Sequence, residues 1–176
     1  MKPWSRRDFV KQLITGTGAA ILPSPLLFGN SLENDDSRLI ILHTNDVHSR
    51  IEPFPAKDKR YGGQGGVERR YALIQKIRAE NPNVLLVDSG DIFQGTPYFN
   101  FFKGELEMKL MTQMGYEAGT MGNHDFDAGI DGFVKQLDHA KFPFLTANYD
   151  FHNTLLEGRT QTHQIIEKGP FKIGLF

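Results

Sequence analysis

The stretch RLIILHTND, residues 38–46, is a nearly continuous apolar run that ends in polar residues. That pattern predicts a buried strand feeding a loop. The same pattern returns in VLLVDSGD at 84–91, which again ends in a carboxylate. A shorter candidate strand lies in YEAGTMGNHDFD at 116–127, a fourth in FPFLTANYD at 142–150 and a fifth in FKIGLF at 171–176. Between them the spacing turns helical. After the flexible YGGQGG at 61–66, Val67, Tyr71, Ile74 and Ile77 recur at helical spacing, and NPN at 81–83 stops that helix. A second helix is predicted over 105–114, with Leu106, Leu110 and Met114 on one stripe and its methionines as core filler. Ile130, Val134 and Leu137 mark a third, which Asp131 is placed to cap and Gly132 weakens. The order βαβαβαβ points to an α/β fold with a largely parallel central sheet.

Outward from that frame, the 176 residues suffice for one domain of ordinary size, with a globular composition and no evident internal repeat. A formal net charge of −1 argues against a general binder of nucleic-acid polymers. Residues 1–36 carry four basic and four acidic side chains, so the remainder has the same net charge. The N-terminus places Lys2, Arg6, Arg7 and Lys11 before a weakly apolar stretch from Leu13 to Leu22. Charge followed by apolarity is the layout of an export signal. The string SRRDFVK at 5–11 closely resembles the twin-arginine signal, which implies periplasmic or otherwise exported localisation. The apolar run, broken by Thr and Gly, is too short for a stable membrane span. The expected organisation is therefore a signal peptide and linker over 1–36 and one α/β unit over 37–176. The chain has no cysteine, so a metal site must use nitrogen and oxygen donors.

In α/β sheets, ligand sites gather beyond the carboxyl ends of strands. Three predicted strand ends carry candidate ligands: Asp46 and His48 in NDVHS, Asp91 in SGDIFQG, and Asn123 and His124 in GNHD. Each cluster alone is weak, since D-x-H is common and GD is an ordinary turn. The stretch MGNHDFD at 121–127 reads equally as a polar loop closing over solvent or as a metal and proton-transfer site. Together the residue types suit a pair of divalent ions. Imidazole and carboxylate are donors for borderline metals, a carboxylate can bridge two ions, and two ions can hold a phosphoryl group. A neutral Asn limits the negative charge around an anionic ligand.

The chain resembles the calcineurin-like metallophosphoesterases, and among them the exported 5′-nucleotidase and 2′,3′-cyclic phosphodiesterase family. LIILHTNDVHSRI fits the family's first signature, and YEAGTMGNHDFD fits the second except that Asp125 stands where Glu is usual. GDIFQGTP resembles the motif between them. The resemblance implies a metallophosphoesterase-type αββα sandwich, of which this chain is the N-terminal portion. It further implies two divalent ions (Zn, Mn or Fe), with Asp46 and His48 on the first, Asp91 bridging and Asn123 on the second. His124, paired with Asp127, would assist phosphoryl transfer. The implied substrate is a small phosphoester or nucleotide. Asp88, Asp150, His139, His152 and His163 are read as surface or structural residues.

The family pattern continues with an isolated histidine and a G-H-x-H pair, and no G-H pair occurs in the 176 residues. The expectation is a fragment without the family's C-terminal half, as a truncated gene, a fragmentary gene model or a split protein would each give, with weak or no turnover alone. The alternatives are a non-catalytic metal-binding or interaction fragment and a thiohydrolase of the sulfur-oxidation branch.

Overall fold

The structure, a computed structural model, describes residues 38–176; the export-signal reading falls on residues outside these. No helix among the described residues is long and apolar enough to cross a membrane.

Strands β1 (Ile40–Thr44) and β2 (Val84–Asp88) pair in parallel, with Ile40 opposite Val84 and Thr44 opposite Asp88. Helix α1 (Val67–Glu80) supplies the crossover that a parallel pair requires. Strand β2 is buried along nearly its whole length, as its apolar run predicts. In β1 the burial alternates instead, and Ile41 is 54% exposed. Among the described residues β1 pairs with β2 alone, so it is an edge strand with one open hydrogen-bonding edge.

The third and fourth predicted strands form short parallel contacts. Asp88 donates its N–H to Ala118 O at 3.1 Å, and Leu145 donates to Gly119 O at 2.8 Å. Isolated parallel bridges join Val87 to Ala118, Gly119 to Phe144 and Leu145 to Gln161. The fifth prediction is corrected in its pairing. FKIGLF forms β4 (Phe171–Leu175), antiparallel to β3 (Gln164–Lys168), a strand the sequence reading missed. Only Gly169 and Pro170 separate these strands, and so short a link permits antiparallel neighbours alone.

Helix α1 ends where Asn81 takes an extended conformation (φ −142°, ψ 128°), as a residue before proline prefers. A short helix, α2 (Pro97–Phe102), was not foreseen; proline at its first turn is preset for helical φ. Helix α3 (Glu105–Met114) has the predicted bounds and stops at Gly115 in the left-handed region. Its buried face is turned relative to the expected stripe: Met108, Met111 and Met114 are buried, whereas Leu106 and Leu110 are half-buried. Arg78 of α1 donates to the carbonyls of Met114 and Gly115 at 2.6 and 2.7 Å, tying the two helices together. Helix α4 (Gly129–Leu137) starts earlier than expected. Ala128 is its N-cap, and Asp131 lies inside the first turn, 3.7 Å from Lys135, rather than at the cap.

The core gathers Phe93, Met108, Met114, Phe133 and Phe144 with other buried apolar side chains. The Phe133 ring meets Phe144 edge-on at 5.2 Å and Phe93 at 5.8 Å. Phe93 therefore anchors the loop after β2 from below, which holds the candidate ligand Asp91 near the surface.

Candidate metal centre

The loops leaving β1 and β2 are zipped together by their backbones. Asp46 N–H donates to Gly90 O at 3.0 Å, His48 N–H to Asp91 O at 3.1 Å and Ser49 N–H to Ile92 O at 2.8 Å. This pairing brings the side chains of Asp46, His48 and Asp91 together, with one donor atom from each within 4.8 Å of the others. All three residues have left-handed backbones, with φ of 51°, 49° and 54°. Such conformations cost of the order of 1–3 kcal/mol each in a non-glycine residue. They persist because the surrounding hydrogen bonds hold them.

The ring of His48 is oriented by its environment. Nδ1 lies 3.2 Å from Phe93 O, an acceptor, so Nδ1 donates there and Nε2 is the nitrogen left to face the carboxylates. That Nε2 stands 3.9 Å from Asp46 Oδ1. An imidazole whose other nitrogen donates to a backbone carbonyl, beside two carboxylates, is a donor set that fits a divalent cation.

The third loop approaches this group very closely. A Cβ on Gly122 would lie 2.0 Å from Asp91 Oδ1, and a Cβ on Gly90 would lie 2.5 Å from Gly122 N. Only glycine allows this contact. Residues Asn123–Phe126 form a 3-10 turn, with Asn123 exposed and His124 donating its N–H to Asp91 Oδ1 at 3.0 Å. The His124 ring meets the His48 ring at 5.2 Å. His124 Nδ1 lies 3.0 Å from Asp127 Oδ2, which also accepts from Gln94 Nε2 at 3.0 Å. The hydrogen bond to Asp127 raises the His124 pKa, and the same bond lowers that of Asp127. Gln94 was not singled out in the sequence, because a glutamine in a glycine-flanked loop carries no signal of its partner.

Asp125, the one departure from the resembled signature, is fully buried. Its Oδ1 accepts the N–H groups of Ile92 and Phe93, both at 2.9 Å. Its Oδ2 accepts those of Asp91 at 3.0 Å and Gly122 at 2.9 Å. The bond to Gly122 is one half of a capping box at the start of the 3-10 turn. Burial raises the carboxyl pKa, and the backbone N–H groups oppose that shift.

Asp88 is also buried, behind the cluster. Its carboxylate accepts from Thr44 Oγ1 and from Gly90 N–H, and Thr44 Oγ1 lies 2.7 Å from Tyr116 Oη. Burial pushes its pKa up to about 6, against the lowering effect of those two bonds. The remaining polar candidates find partners of their own. His139 lies 4.0 Å from Glu105, His152 3.1 Å from Glu157 and His163 3.0 Å from Thr162, while Asp150 accepts the His152 N–H.

A model of the calcineurin-like phosphoesterase family matches residues 39–173. The chain is 42% identical over 144 residues to a snake venom 5′-nucleotidase from Gloydius brevicauda, covering 78% of this chain and 24% of that protein. The crystal structure of a 5′-nucleotidase precursor from Thermus thermophilus matches with a TM-score of 0.70 at 35% identity, over 77% of this chain and 27% of that one. A sulfate thiohydrolase shares the fold alone, with a TM-score of 0.62 at 17% identity over 76% of this chain and 34% of that one. The chain spans about a quarter of the length of the curated relatives it matches.

Proposed function

Because the chain belongs to the calcineurin-like phosphoesterase family, we propose that it serves a metal-dependent phosphoester hydrolase whose substrate is a nucleotide. The observation that carries this reading is the convergence of Asp46, His48 and Asp91 from adjacent loops, beside the His124–Asp127 pair. The substrate class is supported by likeness to 5′-nucleotidases at 42% and 35% identity.

Asp46, His48 and Asp91 would hold a divalent ion, with Asn123 as a further donor from the neighbouring turn. A bound ion supplies Lewis acidity toward a phosphoryl oxygen. The rest falls to the chain's own groups. With Nδ1 committed to Asp127, His124 presents Nε2 to an anionic phosphoryl group or to the leaving oxygen. In the metal-free chain the hydrogen bond to Asp127 raises the pKa of that ring and so favours its protonated form. Gln94 fixes Asp127, and Asp127 fixes the ring. Three converged His and Asp donors suit one ion better than two, so the expected turnover of these 176 residues alone is weak or absent.

The test is a titration of the purified chain with Co²⁺, followed by visible absorption, alongside phosphate release from a nucleoside 5′-monophosphate. Binding and slow metal-dependent release, both lost in Asp91→Ala, support the proposal. Absence of Co²⁺ binding sinks it; binding with no release under any divalent metal favours a non-catalytic metal-binding role.

The site of action is proposed to be the exported compartment, on the strength of the twin-arginine-like string at 5–11. Replacing Arg6 and Arg7 by Lys should retain the product in the cytoplasm, and unchanged export would overturn this part.

A further inference from the structure

The sequence GDIFQ, residues 90–94, places positive φ at Gly90 (95°), Asp91 (54°) and Gln94 (70°). A chain bent this way turns successive N–H groups toward one point, forming a concave anion-binding nest. Such a nest commonly serves an external anion. In this protein the three N–H groups of Asp91, Ile92 and Phe93 meet the side chain of Asp125, which lies more than thirty residues further along. The fourth donor, Gly122 N–H, belongs to the opposite loop.

We infer that Asp125 is the positioning residue of the metal centre, a buried carboxylate that clamps the Asp91 loop to the Asn123–His124 turn. Its four partners are all donors, so the ionised carboxylate, an acceptor only, matches them without conflict. An amide of the same size does not. The NH₂ of an asparagine would face two of those donors, and buried N–H groups left unpaired are costly. The clamp acts at one remove from the ligand atoms. It holds the left-handed backbone of Asp91, and Asp91 Oδ1 in turn accepts the His124 N–H. Outer residues that orient ligands in this way alter metal affinity when they are changed. The consequence for affinity rests on the metal reading above, whereas the clamp itself is a property of the metal-free chain.

The experiment therefore has two arms on the full chain. In the first, amide hydrogen exchange of the metal-free protein is compared between wild type and Asp125→Asn. The amides of Asp91, Ile92, Phe93 and Gly122 should lose protection in the variant, while those of β2 keep theirs. Unchanged protection at the four amides overturns the inference. So does a loss spread equally through β2, which would mark Asp125 as a general stability residue. In the second arm, Co²⁺ is titrated into wild type, Asp125→Asn, Asp125→Glu and Asp91→Ala. Asp125→Asn should bind roughly 10- to 100-fold more weakly than wild type. Asp125→Glu, which keeps the carboxylate, should bind more tightly than Asp125→Asn. Asparagine equal to wild type, or better than glutamate, overturns the positioning role. A wild type that binds no Co²⁺ removes the metal reading instead, and the exchange arm then decides the clamp by itself.

Discussion

His124 donates its Nδ1 proton to Asp127 Oδ2 across 3.0 Å, within a 3-10 turn that also donates a backbone N–H to Asp91. One turn thus ties a proton-carrying ring to a candidate metal ligand. Each feature of that arrangement has a measurable consequence.

The pair sets a pH window. His124 is raised from 6.5, so its contribution to stability is fully present below that value and is lost as pH rises through the folded pKa. Asp127 is lowered from 3.8, so its contribution is present above that value and is lost as pH falls through its folded pKa. Asp127→Asn should therefore move the His124 midpoint downward. Ring chemical shifts followed through a pH titration of the metal-free protein report it directly. An unmoved midpoint would show that the pairing does not set the ring's basicity.

Asp88 predicts a slope opposite to that of Asp127 and of the same sign as that of His124. Its pKa rises from 3.8 to about 6 on folding, so between those values the native state binds more protons than the unfolded chain. Stability then falls as pH rises through that interval, by on the order of 3 kcal/mol for a shift of about two units. Asp88→Asn should flatten the slope and lose little at neutral pH, since an amide oxygen can still accept from Gly90. Urea midpoints measured from pH 4 to 7 provide the check, and an identical slope in the variant contradicts it.

Gly122→Ala places a methyl group against Asp91 Oδ1, where the ideal Cβ lies only 2.0 Å away. One of the two loops must move. The expected cost is about 1–3 kcal/mol of stability from overpacking, accompanied by weaker Co²⁺ binding. Chemical denaturation and the cobalt titration together measure both effects. A variant as stable and as tight-binding as wild type would show that the two loops are not in obligatory contact.

Phe133→Ala tests the core beneath the site. Its ring contacts those of Phe93, Phe126 and Phe144 at 5.8, 5.6 and 5.2 Å, and the side chain is fully buried. Truncation should cost about 3–5 kcal/mol, a large share of the roughly 5–15 kcal/mol typical of a domain. A loss under 1 kcal/mol, read from urea unfolding, would mean that the neighbouring rings collapse into the space.

The positions of α1 and α3 were legible because periodicity and stop residues act locally, whereas the short α2 carried no such signal. Val67 to Glu80 and Glu105 to Met114 have the apolar spacing of helices, and Asn81–Pro82 and Gly115 end them for backbone reasons that need no tertiary contact. The face each helix buries was less legible. On α3 the buried stripe is Met108, Met111 and Met114, because what lies opposite decides which side is covered. Strand partners escaped for the same reason: β4 pairs with β3, although its apolar run resembles that of β2.

By itself the sequence determined the α/β alternation and the residue types at three strand ends. Local composition and period are enough for both, and Asp46, His48 and Asp91 were named from them. Tertiary structure alone decided that these residues share one point, each with a left-handed backbone. It also decided that Asp125 faces inward rather than toward solvent. Those facts depend on hydrogen bonds between segments more than thirty residues apart, as from Asp91 and Phe93 to Asp125. No periodicity records such bonds, because they exist only once parallel pairing has brought the loops together.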